Sequence, residues 1–276
     1  DAREKARAAG MHVPDTLEEA VLGGPEADAN DRVVWQMLKA GEVTNTSLLN
    51  LAEIVGPRGA TIIDAANSHP LDTDMWAEEF QRYEIPFLGI GVSGGVIARH
   101  QGYPLMVGGD EDAYQRIRPI LDSAARPGGG HDYFGPGGFG HWVKAVHNAI
   151  EYPYMQGLGE GAGVLEKLGI DPLKAFRLYQ KGSLISGFMM DRAVDTREED
   201  PDLSSFSGKI GSASGEAVWV VEYAEKHDLP VESIKQAIGF RQRSETDPQV
   251  RRTTAAKQVA ALRKSFGGHE VELVSS

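Results

Sequence analysis

The sequence predicts an α/β protein, in which a mostly parallel sheet alternates with helices and an all-helical region follows. Three observations predict it. Over residues 32–110, short apolar runs rich in β-branched residues recur between amphipathic segments, the pattern of strands covered on both faces. From residue 141 onward the pattern becomes helices joined by polar loops. Between the two lies a glycine-rich turn, GPGGFG at residues 135–140, which opens the longest periodic stretch of the chain.

Composition sets the bounds. The 276 residues are 41% hydrophobic and 25% charged, ordinary for a globular protein long enough to bury a substantial core. A net charge of −12 argues against nucleic acid and against an anionic membrane as partners. An anion could still be bound, by a few placed basic residues. The absence of cysteine excludes disulfides and Cys-ligated zinc and fits a reducing compartment, so a cytoplasmic location is expected. No apolar run approaches the length of a membrane span, and residues 1–10 (DAREKARAAG) carry charge where a secretory signal would be apolar. The chain also begins without Met, which suggests part of a longer protein.

In order, residues 3–9 read as a helix end closed by Gly10, and Thr16 with Glu19 forms a capping-box pattern before a short helix. Residues 32–39 and 60–65 read as buried strands flanking an amphipathic helix at 44–55. A helix at 74–83 has Trp76 and Phe80 one turn apart. Strands at 85–93 and 103–110 and a helix at 111–124 complete the first part. Helices follow at 141–168, 171–186, 187–194, 216–227, 230–243 and 253–266, with a polar connection at 195–214. The division falls at residues 1–128 and 129–276.

Within the stretch after the glycine turn, His141, Lys144, Asn148 and Glu151 share one helix face, being spaced three, four and three apart. Val143, Val146, Ala149 and Ile150 read as its buried flanks. By itself the face reads equally as a solvated surface or as a site. In parallel sheets, ligands bind beyond the carboxyl ends of the strands. Those ends carry Lys39-Ala40-Gly41, Asn67-Ser68 and Ser93-Gly94-Gly95. Each is singly a common turn or cap, but their joint placement at consecutive strand ends is more specific: the glycines let a backbone approach a ligand, and Asn67 offers both a donor and an acceptor.

Taken together these residues resemble the decarboxylating 6-phosphogluconate dehydrogenases, within the β-hydroxyacid dehydrogenases. The resemblance runs through Leu38 to Gly41, Asp64-x-x-Asn67-Ser68, Gly91 to Val96 and Leu105 to Asp110. It continues through Gly135 to His141 and the run from Val143 to Tyr152, and ends at Ala261-Leu262-Arg263 and Phe266 to His269. The spacing of Lys144 and Asn148 is shared across β-hydroxyacid dehydrogenases, and His147-Asn148-x-Ile150-Glu151-Tyr152 points to the phosphogluconate enzymes in their short form.

The resemblance implies a Rossmann-like domain followed by an all-α domain for substrate binding and dimerisation. It implies oxidation of 6-phosphogluconate at C3 with NAD or NADP, loss of CO2 and release of ribulose 5-phosphate, without a metal. Lys144 would be the general base, Glu151 the acid that protonates C1, and Asn148 a positioning group. Asn67, Ser93, Gly94, Gly95 and His147 would hold the sugar acid. Tyr152 and Arg241 would hold its phosphate, with Arg263 and His269 reaching in from the other subunit of a homodimer or higher oligomer. Lys39, Ala40, Asn67 and Asp1 would contact the cofactor. His141 falls to a helix-start role.

This sequence also departs from that pattern. The first strand, the Gly-x-Gly-x-x-Gly turn and the second strand are absent, so the Rossmann-like domain is expected to be incomplete and the pyrophosphate to lack its helix N-terminus. Ala65-Ala66 replaces a Gly-Gly pair near the nicotinamide, Ala98 replaces a glycine, and Val218 stands where a basic residue precedes Trp219. Two alternatives therefore accompany the phosphogluconate reading: a dehydrogenase for another β-hydroxyacid, and a non-catalytic dimerising remnant that does not bind cofactor.

Overall fold

The computed structural model describes residues 2–23, 32–56, 60–125, 130–213, 215–267 and 271–274. The chain divides into two compact units, one of Asp1–Val92 with Pro104–Lys144 and one of Ser93–Tyr103 with Ala145–Ser276.

The first unit is a Rossmann-like α/β layer. Helix α1 (Ala2–Ala8) and α2 (Leu17–Leu22) precede strand β1 (Arg32–Gln36), and the Thr16 hydroxyl caps α2 by accepting from Glu19 N–H at 3.0 Å. Helix α3 (Glu42–Val55), β2 (Ala60–Asp64), α4 (Pro70–Arg82) and β3 (Phe87–Val92) follow. The first unit resumes with β4 (Leu105–Gly109), α6 (Glu111–Ala124) and β5 (His131–Tyr133), while the intervening 3-10 turn at Gly95–Ile97 and α5 (Ala98–Gln101) belong to the second unit. The sheet order is β1-β2-β3-β4-β5, with β2 and β3 buried along their whole length. Continuous burial is why these strands read as unbroken apolar runs. Leu48, Leu51, Ile62, Phe80 and Phe87 form the core on the α3 and α4 side, with Phe80 and Phe87 stacked 5.0 Å apart.

Two features of this mostly parallel sheet go beyond the sequence reading. Strand β4 runs antiparallel to β3, with Val92 opposite Leu105. A parallel return needs a crossover long enough to span the sheet. The turn and one-turn helix between β3 and β4 are too short for that, so the chain re-enters where it left. The second feature is β5, three residues beside β4, too short to give an alternating signal.

Helix α7 (Phe139–Lys167) starts in the first unit and continues into the second. The second unit is helical: α8 (Pro172–Tyr179), α9 (Phe188–Glu199), α10 (Gly215–Lys226), α11 (Glu232–Thr246), α12 (Pro248–Arg251) and α13 (Thr254–Gly267). Met155, Phe176, Met190, Ile210, Val259 and Leu262 centre its core. Helix α8 ends seven residues earlier than expected and α9 extends through Glu199, into the span read as a polar connection. The reading of Val146 and Ile150 as buried flanks of α7 is corrected, because they are 43% and 60% exposed. Ala149 on the same helix is fully buried. Period alone placed these residues on a helix, but which arc faces the core depends on where the neighbouring helices lie.

Candidate active site

In the first unit, α7 approaches the sheet along a seam of glycines. A side chain at Gly91, near the end of β3, would come within 2.4 Å of Lys144 Cβ and 2.7 Å of the Gly140 carbonyl. Glycine at that strand position therefore lets the helix lie close and holds Lys144, 7% exposed, against the carboxyl end of β3. One turn earlier on α7, His141 is 2% exposed, and its Nδ1 lies 2.7 Å from the hydroxyl of Thr73 on α4. His141 thus sits in the first turn of the helix, as expected, and also ties it to α4.

Asn67 stands beyond β2 with φ of 54°, a left-handed conformation that asparagine tolerates better than most residues. Its amide Nδ2 donates to the Val92 carbonyl at 3.1 Å and its Oδ1 accepts from Val92 N–H at 2.8 Å. The side chain thus extends the β2–β3 pairing by one rung and fixes the end of β3 before Ser93. Lys39 and Ala40 are exposed beyond β1, ahead of Gly41, which begins α3 with φ of 95° and no side-chain cap. Asp1 lies outside the described residues.

In the second unit, Ser93, Gly94 and Gly95 form a turn with positive φ at both glycines. A side chain on Gly95 would reach 2.0 Å from the carbonyl of Phe266 on α13. The close approach these glycines permit at that point is therefore to the chain's own helix. The Ser93 hydroxyl lies 3.5 Å from His147 Nε2, and His147 Nδ1 lies 3.0 Å from Asn148 Oδ1 and 3.9 Å from Glu151 Oε2. Asn148 Nδ2 donates to Glu216 Oε2 on α10 at 2.7 Å.

Next to these residues is a cationic cluster. Arg241 on α11 is 3% exposed, and its guanidinium carbon lies 3.4 Å from the ring centroid of Tyr152. Burial pushes its pKa down to about 10; the adjacent Tyr152 and Glu151 oppose that fall, and Arg263 adds to it. Arg263 on α13 is likewise lowered, first by burial, with Tyr152, Glu151 and Glu245 opposing. Its Nη1 donates to the Ile210 carbonyl, so Arg263 is engaged within its own chain. The cluster thus collects Glu151, Tyr152, Arg241 and Arg263, while His269 lies outside the described residues. Val218 packs against the apolar core of this unit. Among the described residues no three His, Cys, Asp or Glu side chains gather in a way that could hold a metal ion.

Sequence reasoning did not single out Glu216, which the structure places against Asn148. An acidic residue in the first turn of a helix is ordinary, because it complements the helix dipole, so nothing in the pattern marks it.

Comparison with known proteins bears on the family and the fold. Residues 1–135 match the family model of the NAD binding domain of 6-phosphogluconate dehydrogenase, and residues 140–275 match that of the 6-phosphogluconate dehydrogenase C-terminal domain. A putative 6-phosphogluconate dehydrogenase of Bacillus subtilis is 34% identical over 243 residues, covering 87% of this chain and 79% of the relative. The NAD(+)-dependent, decarboxylating 6-phosphogluconate dehydrogenase of Haloferax volcanii is 31% identical over 245 residues, covering 88% and 79%. Among solved structures, Plasmodium falciparum 6-phosphogluconate dehydrogenase superposes with a TM-score of 0.71 at 24% identity, over 87% of this chain and 53% of that one. Mycobacterium tuberculosis 3-hydroxyisobutyrate dehydrogenase gives 0.67 at 21% identity, over 95% and 87%. At such identities the structural likenesses bear on the fold alone. Fold and family models together define an NAD(P)-dependent dehydrogenase. The chain belongs to the 6-phosphogluconate dehydrogenase family.

Proposed function

We propose that the protein oxidises 6-phosphogluconate at C3 and decarboxylates it to ribulose 5-phosphate and CO2. The observation that carries this reading is the convergence of two partly desolvated arginines, Arg241 and Arg263, around Tyr152 and Glu151. In a chain of net charge −12, such a cluster suits a small dianion. We assign the dinucleotide to residues 1–128 and the sugar acid to residues 129–276, in a homodimer.

Bound NAD or NADP supplies the hydride acceptor, and Lys39, Ala40 and Asn67 are the described residues assigned to it. Lys144 takes the proton of the C3 hydroxyl as hydride leaves C3. The resulting 3-keto acid is itself the electron sink, so the C1 carboxyl departs as CO2 while Lys144 returns its proton to the forming enol oxygen. Glu151 then protonates the former C2, which becomes C1 of ribulose 5-phosphate. Ser93, Gly94, Gly95, His147 and Asn148 hold the hydroxyls, and Tyr152 and Arg241 hold the phosphate.

A second reading, oxidation of a non-phosphorylated β-hydroxyacid, is favoured by Val218, which packs into the core where the resemblance calls for a basic residue. The test is NAD(P)H formation with 6-phosphogluconate and with 3-hydroxyisobutyrate, in the native protein and in Lys144→Ala. The proposal expects turnover of the phosphorylated acid with release of CO2. It also expects a loss of about a thousandfold in Lys144→Ala, within the range for removing a general base. Preference for 3-hydroxyisobutyrate, or near-normal turnover without Lys144, overturns it.

A further inference from the structure

The contact between Asn148 and Glu216 joins a proposed substrate residue to a carboxylate that no role in the reaction uses. A carboxylate can only accept hydrogen bonds, so at 2.7 Å the NH2 end of the Asn148 amide must face Glu216. The orientation of an asparagine amide is otherwise ambiguous, and here the chemistry of the partner decides it. With Nδ2 committed to Glu216, Oδ1 is turned to His147 Nδ1, 3.0 Å away. An amide oxygen only accepts, so the proton of the neutral imidazole belongs on Nδ1. That leaves a lone pair on Nε2, the atom that lies 3.5 Å from the Ser93 hydroxyl. Glu151 Oε2, 3.9 Å from the same Nδ1, favours the same placement from a greater distance.

The other oxygen of Glu216, Oε1, is buried and has no hydrogen-bond partner among the described residues. Such an oxygen is costly to keep in a structure. An apolar residue in that place would avoid the cost but would lose the fixed amide orientation, and a glutamine, able to present either its oxygen or its NH2, would no longer impose it.

We propose that Glu216 is a positioning residue: through Asn148 it sets the tautomer of His147, so that Nε2 accepts a hydrogen bond from a substrate hydroxyl beside Ser93. The substrate class this implies is a polyhydroxylated acid. The proposal rests on the reading that Ser93, His147 and Asn148 hold the substrate.

The decisive measurement is the side-chain 15N spectrum of His147 in the full chain, in the neutral form of the ring. The expected result is Nδ1–H in the native protein and a substantial Nε2–H population in both Glu216→Gln and Glu216→Ala. Glu151→Gln is expected to keep the native tautomer. In parallel, Glu216→Gln should raise the KM for 6-phosphogluconate about tenfold, the worth of one lost hydrogen bond, with kcat nearly unchanged. A native Nε2–H tautomer overturns the proposal without recourse to any variant. So does an unchanged tautomer in Glu216→Gln, or a change in Glu151→Gln alone. If the native protein fails to oxidise 6-phosphogluconate, the functional reading falls, while the tautomer still decides the role of Glu216.

Discussion

The guanidinium carbon of Arg241 lies over the ring of Tyr152, 3.4 Å from its centroid, with both side chains buried in the helical unit. A desolvated pair of this kind is worth about 2 kcal/mol, so the ring holds a cation that burial would otherwise expel. With its pKa down to about 10, Arg241 is charged at neutral pH and loses its proton far earlier than an exposed arginine. Affinity for 6-phosphogluconate, measured by calorimetry, should be level at neutral pH and fall as pH rises through about 10. Stability shifts the other way. Between about 10 and the usual arginine range the unfolded chain holds the proton that the folded chain has released, so this group's contribution to stability rises with pH there. An affinity that is flat across that window would remove Arg241 from the anion site.

Gly91→Ala should displace α7, because the new methyl would stand 2.4 Å from Lys144 Cβ and 2.7 Å from a backbone carbonyl. Overpacking of this kind costs about 1–3 kcal/mol. The melting temperature should fall, and kcat should fall with it, since Lys144 moves with the helix. A variant as stable and as active as the native chain would show that the seam yields.

The two hydrogen bonds from Asn67 to Val92 predict that Asn67→Ala loses about 1–2 kcal/mol of stability. Asn67→Val should lose more, because a β-branched residue strains at a φ of 54°. Denaturant midpoints of the two variants in the reverse order would contradict this account.

Arg197 on α9 is 1% exposed and bonds to Gln258 on α13 at 2.6 Å, and to Glu166 on α7 and the Pro201 carbonyl at 3.1 Å each. Arg197→Ala strands these partners and should cost about 3–5 kcal/mol, the usual penalty for breaking a buried charge network. Arg197→Met, which replaces the side chain with apolar bulk, should cost less. Equal losses in the two variants, read from urea unfolding, would mean that packing rather than charge holds the three helices.

Much of the site could be read in one dimension. Lys144, Asn148, Glu151 and Tyr152 lie within nine residues, so helical period alone places them on α7. Asn67 and Ser93 were legible as strand-end residues because the buried strands before them are continuous apolar runs. Arg241 stood out only by resemblance, since nothing in the local pattern of α11 says that its side chain is buried. Glu216, 68 residues from Asn148, carried no signal at all.

The sequence by itself determined the alternation of strands and helices, the change to an all-helical region and the order of residues along α7. Those properties follow from local periodicity and capping, which act over a few residues. Tertiary structure alone decided that β4 turns back against β3, that Val146 and Ile150 face outward and that Arg241 stacks on Tyr152. It alone placed a carboxylate against Asn148. Each of these depends on how closely distant segments approach, and that distance is set by packing, by glycines such as Gly91 and Gly95, and by the burial of charge.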